Sequence, residues 1–474
     1  MAEKPAIIFI TCDEMRLDTL SCYGGRAVHT PNIDSLIEKG TKYENCYTVS
    51  PLCLPARCSM LTGLYPHNSG AYSNFRKCPL DQNLPNIFTE LKKAGYRTSL
   101  FGKCHFAPVP YSETRADKTL PYDDFKEYYK SLGIDHLDLQ DDKQVSVWYY
   151  DDYSKELDKA GYLEEYRKLL WDPENGKVFP FPGPAEWHPD AWVGDHAVQY
   201  LKDNEPGSRP LFAWISFSGP HYPFDTPAEY YERVNQDSLP ARSYKEGEFT
   251  DESRIHYKSF YGGGHIDGCG PAPMHACQNY TEEYWKKLQI SYYANVALID
   301  DEVGKILEQV QDKYGDNAMV IFTADHGEML GNHGVWGKHD CAYDDVWRIP
   351  LLIRFPGQEN ASEEKGIVNL TDILPTCLEA GGAEAIACDG KALQERTEFL
   401  EYTFSESEGF CAVTDGKYKY IHVQKEGHNH REFLDLINDP KEFSNRMEDP
   451  SEAGEKARLM ERLITCLLYT SRCV

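Results

Sequence analysis

The chain has 474 residues, 41% apolar and 26% charged, too many for one small core and balanced as in a soluble globular enzyme. A formal net charge of −27 argues against nucleic acid and other polyanions as partners, and no apolar run approaches the ~20 residues that span a bilayer. The 15 cysteines include no CxxC pair, which argues against a zinc ribbon, a dithiol redox motif or a disulfide framework; with no signal peptide visible, reduced thiols in a cytoplasmic protein are the expectation.

Four short apolar runs each end in charged or imidazole side chains. Ala6–Thr11 leads to Asp13, Tyr96–Phe101 to Lys103 and His105, Leu211–Phe217 to His221, and Ala318–Thr323 to Asp325 and His326. Runs of this length, rich in Ile, Val and Phe, suit strands buried on both faces of a parallel sheet. Helical patterns at Asn83–Ala94 (closed by Gly95), Asp190–Lys202 and Glu282–Lys313 alternate with them, the last open to a break near Asp300. The alternation predicts an α/β fold: a three-layer α/β/α sandwich around a mostly parallel sheet, spanning residues 1–356. In such sheets ligands bind outside the carboxyl ends of the strands, where all four runs deliver their polar groups.

Two stretches interrupt the alternation. Residues 122–192, dense in Tyr, Trp and Asp, read as a helical insertion whose aromatic residues pack a lid onto the core. Residues 261–277 form a Gly/Pro-rich loop carrying His265 and His275 as weaker candidates for substrate contact. Beyond Pro356 the composition changes. Strand-like pieces at Thr397–Phe404, Gly409–Thr414 and Tyr418–His422, then a closing helix from Ser451 to about Leu467, predict a smaller C-terminal α+β subdomain with an antiparallel sheet over residues 357–474.

The segment Ser50-Pro-Leu-Cys53-Leu-Pro55-Ala-Arg57, continuing to Leu61-Thr62-Gly63, carries the chemistry. Pro55 suits the first turn of a helix that Gly63 closes. Cys53 then stands just before the helix N-terminus, where the dipole favours developing negative charge, and Arg57 about one turn on can point back at the same oxyanion. A nucleophile, a helix N-terminus and an arginine within five residues make an anion-transfer site.

C-x-P-x-R followed by L-T-G resembles the signature of the formylglycine-dependent sulfatases of the alkaline phosphatase superfamily. The resemblance runs along nearly the whole chain. It takes in Asp13-Glu14, Cys22-Tyr23-Gly24, Gly102-Lys103 with His105, Pro220-His221, Ala324-Asp325-His326-Gly327, Gly337-Lys338-His339 and Phe433 to Pro440. It implies that Cys53 is oxidised to formylglycine by a maturation enzyme. It also implies one divalent metal held by Asp13, residue 53, Asp325 and His326, with Glu14 as a further ligand in place of the Asp or Gln of other members. Oxygen ligands point to calcium first, and the histidine keeps magnesium or manganese as alternatives.

The implied mechanism has the hydrated aldehyde attack sulfur, with the metal lowering the pKa of the hydroxyl it binds. Lys103, Lys338 and Arg57 meet the sulfate charge, and His221 or Lys338 protonates the leaving oxygen. His105 then takes the proton whose loss restores the aldehyde. Lys103, His221, Lys338 and His339 are the implied substrate contacts, with His339 and His333 orienting Lys338 or lining the sulfate pocket. Asp344 and Asp345 read as solvated loop charges. The expected substrates are small: a monosulfated sugar, or an aryl or steroid sulfate. Phosphonate monoester or phosphodiester hydrolysis on the same scaffold is the nearest alternative, and a non-catalytic sulfated-carbohydrate binding protein a remote one.

Overall fold

The computed structural model describes residues 4–74, 80–107, 123–143, 150–172, 178–204, 207, 209–248, 277–338, 341–425 and 428–469. The apolar runs are the strands they were expected to be: β1 (Ala6–Asp13), β3 (Arg97–Gly102), β5 (Leu211–Pro220) and β6 (Ala318–Ala324). Nearly every residue of these strands is buried, which is why none shows the alternation of a half-exposed strand.

The large sheet has nine strands. Besides these four it contains β2 (Thr41–Tyr47), β4 (His136–Leu139), β7 (Arg348–Ile349), β8 (Leu351–Arg354) and β9 (Ser362–Asn369). Its order is β4-β3-β5-β1-β6-β8-β2-β7, with β9 also pairing β2. The block β4-β3-β5-β1-β6 is parallel throughout, with Ile10 opposite both Ile215 and Phe322. Five adjacent strands therefore end on one edge, and the residues that follow them become neighbours. The antiparallel β8 continues the sheet on the β6 side, followed by β2 with its partners β7 and β9.

Helices cover both faces. Helix Ile87–Lys93 lays Phe88 against Phe212 and Trp214, the latter also touching Phe9. Pro189–Asp203 and the 33-residue helix Glu282–Tyr314 pack together and against β5. The long helix is not broken at Asp300. That carboxylate accepts from the backbone N–H of Asn32 and Ile33, so the charge is spent capping the neighbouring helix Pro31–Asp34.

The described part of the insertion contains helices Asp123–Ser131, Asp152–Ala160 and Leu163–Trp171, with Tyr129, Tyr153 and Tyr166 buried. It also supplies the edge strand β4, which the helical reading of this stretch did not contain. The loop 261–277, with His265 and His275, lies outside the described residues except for Cys277.

The large sheet takes one strand from beyond Pro356. β9 begins at Ser362, and helix Ile373–Ala380 packs on Cys53–Thr62. The smaller sheet is an antiparallel meander of β10 (Thr403–Ser407), β11 (Phe410–Thr414), β12 (Tyr418–Lys425) and β13 (His428–Asp435). Val413, Tyr420 and Phe433 pack against Leu459 and Leu463 of the closing helix Ala453–Tyr469. Among the described residues no helix is long and apolar enough to cross a membrane.

Candidate active site

The carboxyl edge of the parallel block gathers the groups that close the apolar runs. Asp13 closes β1, Lys103 follows β3, His221 follows β5 and Asp325 follows β6. Cys53 arrives from the side as the first residue of helix Cys53–Thr62, with Leu52 as N-cap. It is thus one position further into the helix than expected. Gly63 ends the helix at φ 68°, a left-handed conformation that favours glycine.

Cys53 is the focus of the site, 2% exposed. Its Sγ lies 3.3 Å from Lys338 Nζ, 3.3 Å from His326 Nε2 and 3.5 Å from Asp13 Oδ1. His105 and His221 are near enough to act on its ionisation as well. Burial opposes ionisation of the thiol, but Lys103, Lys338 and His326 overcome it and hold the group well below an ordinary cysteine.

One ligand atom each from Asp13, Cys53, Asp325 and His326 falls within a 4.8 Å cluster, all buried. The donor set fits a divalent cation. Two buried carboxylates face one another, and burial and Asp13 together raise the pKa of Asp325. A cation between them removes that repulsion. Glu14 is not part of that cluster; its Oε1 lies 2.8 Å from Lys338 Nζ and its Oε2 3.9 Å from His221 Nε2. Its backbone is left-handed (φ 68°), held by its N–H donating to Asp325 Oδ1 (3.1 Å) and by the Tyr292 hydroxyl donating to its carbonyl. Burial resists protonation of His221, yet Glu14 and Asp13 raise its pKa to about 9.

Arg57 is fully buried. Its Nε donates to Asp325 Oδ2 (2.8 Å) and its Nη1 to Ser216 Oγ (2.7 Å) and the Lys103 carbonyl (3.0 Å). The guanidinium therefore braces the carboxyl edge from behind, and Nη2 alone finds no acceptor among the described residues. Lys103 pairs with Asp13 and, at 2.7 Å, with Asp142.

His339 lies outside the described residues. His333 pairs with Glu248 through Nδ1 (2.5 Å). Asp344 and Asp345 are not loose loop charges. Asp345 binds Arg16 and Asp344 binds the buried Lys419 of β12, both at 2.7 Å, tying the segment that carries Lys338 to the rest of the fold.

The sequence reading passed over Asp141, Asp142 and Ser216. Asp141 Oδ1 accepts from the backbone N–H of Cys104 (2.9 Å) and His105 (2.8 Å), fixing His105 in its left-handed conformation (φ 49°). The signal for both aspartates was present: His136–Leu139 is another short run that ends in charge, too short and too polar to stand out. Ser216 carried no such mark, since a serine inside a buried strand gives no sign of the guanidinium it will meet.

The family model described as Sulfatase matches residues 5–383, and that described as N-sulphoglucosamine sulphohydrolase, C-terminal, matches residues 331–467. An arylsulfatase of Clostridium perfringens is 27% identical, covering 93% of this chain and 90% of its own length. A choline-sulfatase of Rhizobium meliloti is 26% identical over 96% and 85%. Among solved structures, a phosphonate monoester hydrolase of Agrobacterium radiobacter superposes with a TM-score of 0.81 at 22% identity, covering 98% of this chain and 96% of its own. One solved in complex with its substrate D-glucosamine-2-N,6-O-disulfate superposes at 0.72 with 18% identity, covering 99% and 98%. The chain belongs to the sulfatase family of the alkaline phosphatase superfamily and is a sulfuric ester hydrolase.

Proposed function

We propose that the enzyme cleaves small sulfate esters with residue 53 as nucleophile, after Cys53 has been oxidised to formylglycine, and with a divalent cation, calcium first, held by Asp13, residue 53, Asp325 and His326. The observation that carries this reading is the crowding of Lys338, His326 and Asp13 within 3.5 Å of a buried Cys53 Sγ, the atom that marks where the oxygens of formylglycine stand. Formylglycine supplies a nucleophilic oxygen that can be regenerated, and the cation polarises oxygens beside it.

The chain's own groups do the rest. Lys103 and Lys338 offer ammonium groups to the sulfate oxygens, fixed before substrate arrives by Asp13, Asp142 and Glu14. His221, kept protonated beside Glu14, donates from its ring to the departing alcohol oxygen. His105, held by Asp141, accepts a proton on its ring when the sulfate is released. Exclusion of water from this pocket strengthens each of these charges. Because Cys53 is 2% exposed in the folded chain, the maturation enzyme reaches it before helix Cys53–Thr62 is packed away.

The net charge of −27 favours small substrates over sulfated polymers, in line with relatives named for aryl and choline sulfates. A phosphonate monoester is the second reading, favoured by the superposition on the hydrolase of that substrate. The deciding test is the ratio of kcat/KM for an aryl sulfate over an aryl phosphonate, on a preparation shown by peptide mass to carry formylglycine at position 53. A ratio strongly above one supports the sulfate reading; a ratio below one moves the enzyme to phosphonates.

A further inference from the structure

The cationic side chains around Cys53 are each paired with a buried acid among the described residues. Arg57 braces Asp325, Lys338 meets Glu14, and Lys103 meets Asp13. Asp142 is the additional acid. It sits just past β4, its side chain 12% exposed, with Oδ2 2.7 Å from Lys103 Nζ, and its ligand atom lies within a 4.8 Å cluster with those of Asp13 and His221. The segment leading to it is built to hold it there. The backbone N–H of Asp141 donates to Asp151 (3.0 Å), and the Asp141 carboxylate accepts from Tyr129 Oη (2.8 Å) and from the backbone of Cys104 and His105.

We propose that Asp142 is a specificity-determining residue, whose carboxylate cancels part of the Lys103 charge and so fits the pocket to a reacting group with one negative charge rather than two. Sulfate monoesters and phosphonate monoesters carry one such charge; phosphate monoesters carry two near neutral pH. All three offer tetrahedral oxygens of similar size, so shape separates them poorly and charge is what remains. A buried carboxylate beside the lysine repels a dianion about twice as strongly as a monoanion, in surroundings too dry for water to screen the difference. The 2.7 Å pair with the Lys103 ammonium sets this carboxylate against the lysine's charge inside the pocket.

The inference rests on the reading of the space around Cys53 as the sulfate pocket, and the test separates the two. In Asp142→Asn, kcat/KM is measured for 4-nitrophenyl sulfate and 4-nitrophenyl phosphate at pH 8. The ratio of phosphate to sulfate is expected to rise at least about tenfold over wild type, because the dianion gains roughly twice what the monoanion gains. Asp142→Glu should keep the ratio within about threefold of wild type. Equal losses on both substrates, which simple loosening of Lys103 produces, overturn the proposal. Should the asparagine variant not fold, inhibition of the wild-type enzyme decides. Dimethyl phosphate, a monoanion, is expected to bind more tightly than the dianion monomethyl phosphate, and the reverse order overturns the proposal. A wild-type enzyme that carries formylglycine and does not turn over the sulfate defeats the pocket reading itself, not this refinement of it.

Discussion

Replacing Arg57 with Met tests whether the arginine of the signature segment serves mainly as a brace. The side chain is fully buried and gives Asp325 its 2.8 Å ion pair, with further bonds to Ser216 and the Lys103 carbonyl. Methionine keeps much of the volume and removes all three donors. Asp325 is then a buried carboxylate facing Asp13 without its guanidinium partner, and breaking a buried pair in this way costs about 3–5 kcal/mol. For a chain of 474 residues, unfolding entropy of ~2.1 cal/mol/K per residue gives about 1 kcal/mol/K, so Tm should fall by about 4 °C. The assay is thermal unfolding with chelator and with calcium, alongside elemental analysis. The drop should be larger in chelator, because a bound cation takes over part of the neutralisation of Asp325, and metal occupancy should fall. Melting within about 1 °C of wild type with full metal content and unchanged kcat, but a raised KM, would refute the brace and leave only contact of Nη2 with substrate.

Cys53→Ala should abolish turnover on every substrate while moving Tm by less than about 2 °C, since the buried helix loses only one small side-chain group; retained activity removes the proposed nucleophile. Lys338→Met should lower kcat by about 10²–10³-fold, as it removes an ammonium 3.3 Å from the reacting atom, and a change confined to KM would contradict that role. His326→Ala should lower the stoichiometry of bound metal measured by elemental analysis, and full occupancy in that variant would take His326 out of the ligand set. Glu302→Gln tests stability against pH. Burial raises this carboxyl from 4.5 to about 7, with Lys305 opposing. The folded state thus binds the proton more tightly, and the stability this gives is complete below pH 4.5 and lost as pH rises through 7. The glutamine variant, measured by urea unfolding, should match wild type at pH 4.5 and exceed it at pH 8 by up to about 3 kcal/mol; equal stability at both would refute the burial argument.

What the sequence revealed of the fold followed from burial. β1, β3, β5 and β6 are covered on both faces, so their apolar runs are unbroken and the polar residue that ends each is conspicuous. β4 and β13 escaped notice for the opposite reason. His136–Leu139 is a four-residue edge strand alternating polar and apolar, and His428–Asp435 opens His-Asn-His-Arg-Glu before its apolar pair Phe433 and Leu434. The candidate site divided in the same way. Asp13, Cys53, Lys103, His221, Asp325, His326 and Lys338 announced themselves by motif or by position after a strand, and the parallel register brings together those that follow β1, β3, β5 and β6. The role of Arg57 was less legible, because spacing along a helix says that a guanidinium is near the nucleophile without saying which carboxylate it faces first.

Asp141 and Asp142, two of the residues that escaped notice, share one origin, the insertion between β3 and β5. A stretch read as a lid of packed aromatics does bury Tyr129, Tyr153 and Tyr166, but that packing also sets an edge strand beside β3 and carries Asp141 and Asp142 to the carboxyl edge. Asp141 then fixes the backbone of His105, and Asp142 meets Lys103. The core strands thus position Asp13, Lys103, His221 and Asp325, while the insertion sets Asp142 beside Lys103 and ties down the backbone of His105. Substitutions in the insertion should accordingly change which anion is preferred sooner than whether chemistry occurs, and the Asp142→Asn ratio is where that division of labour is measured.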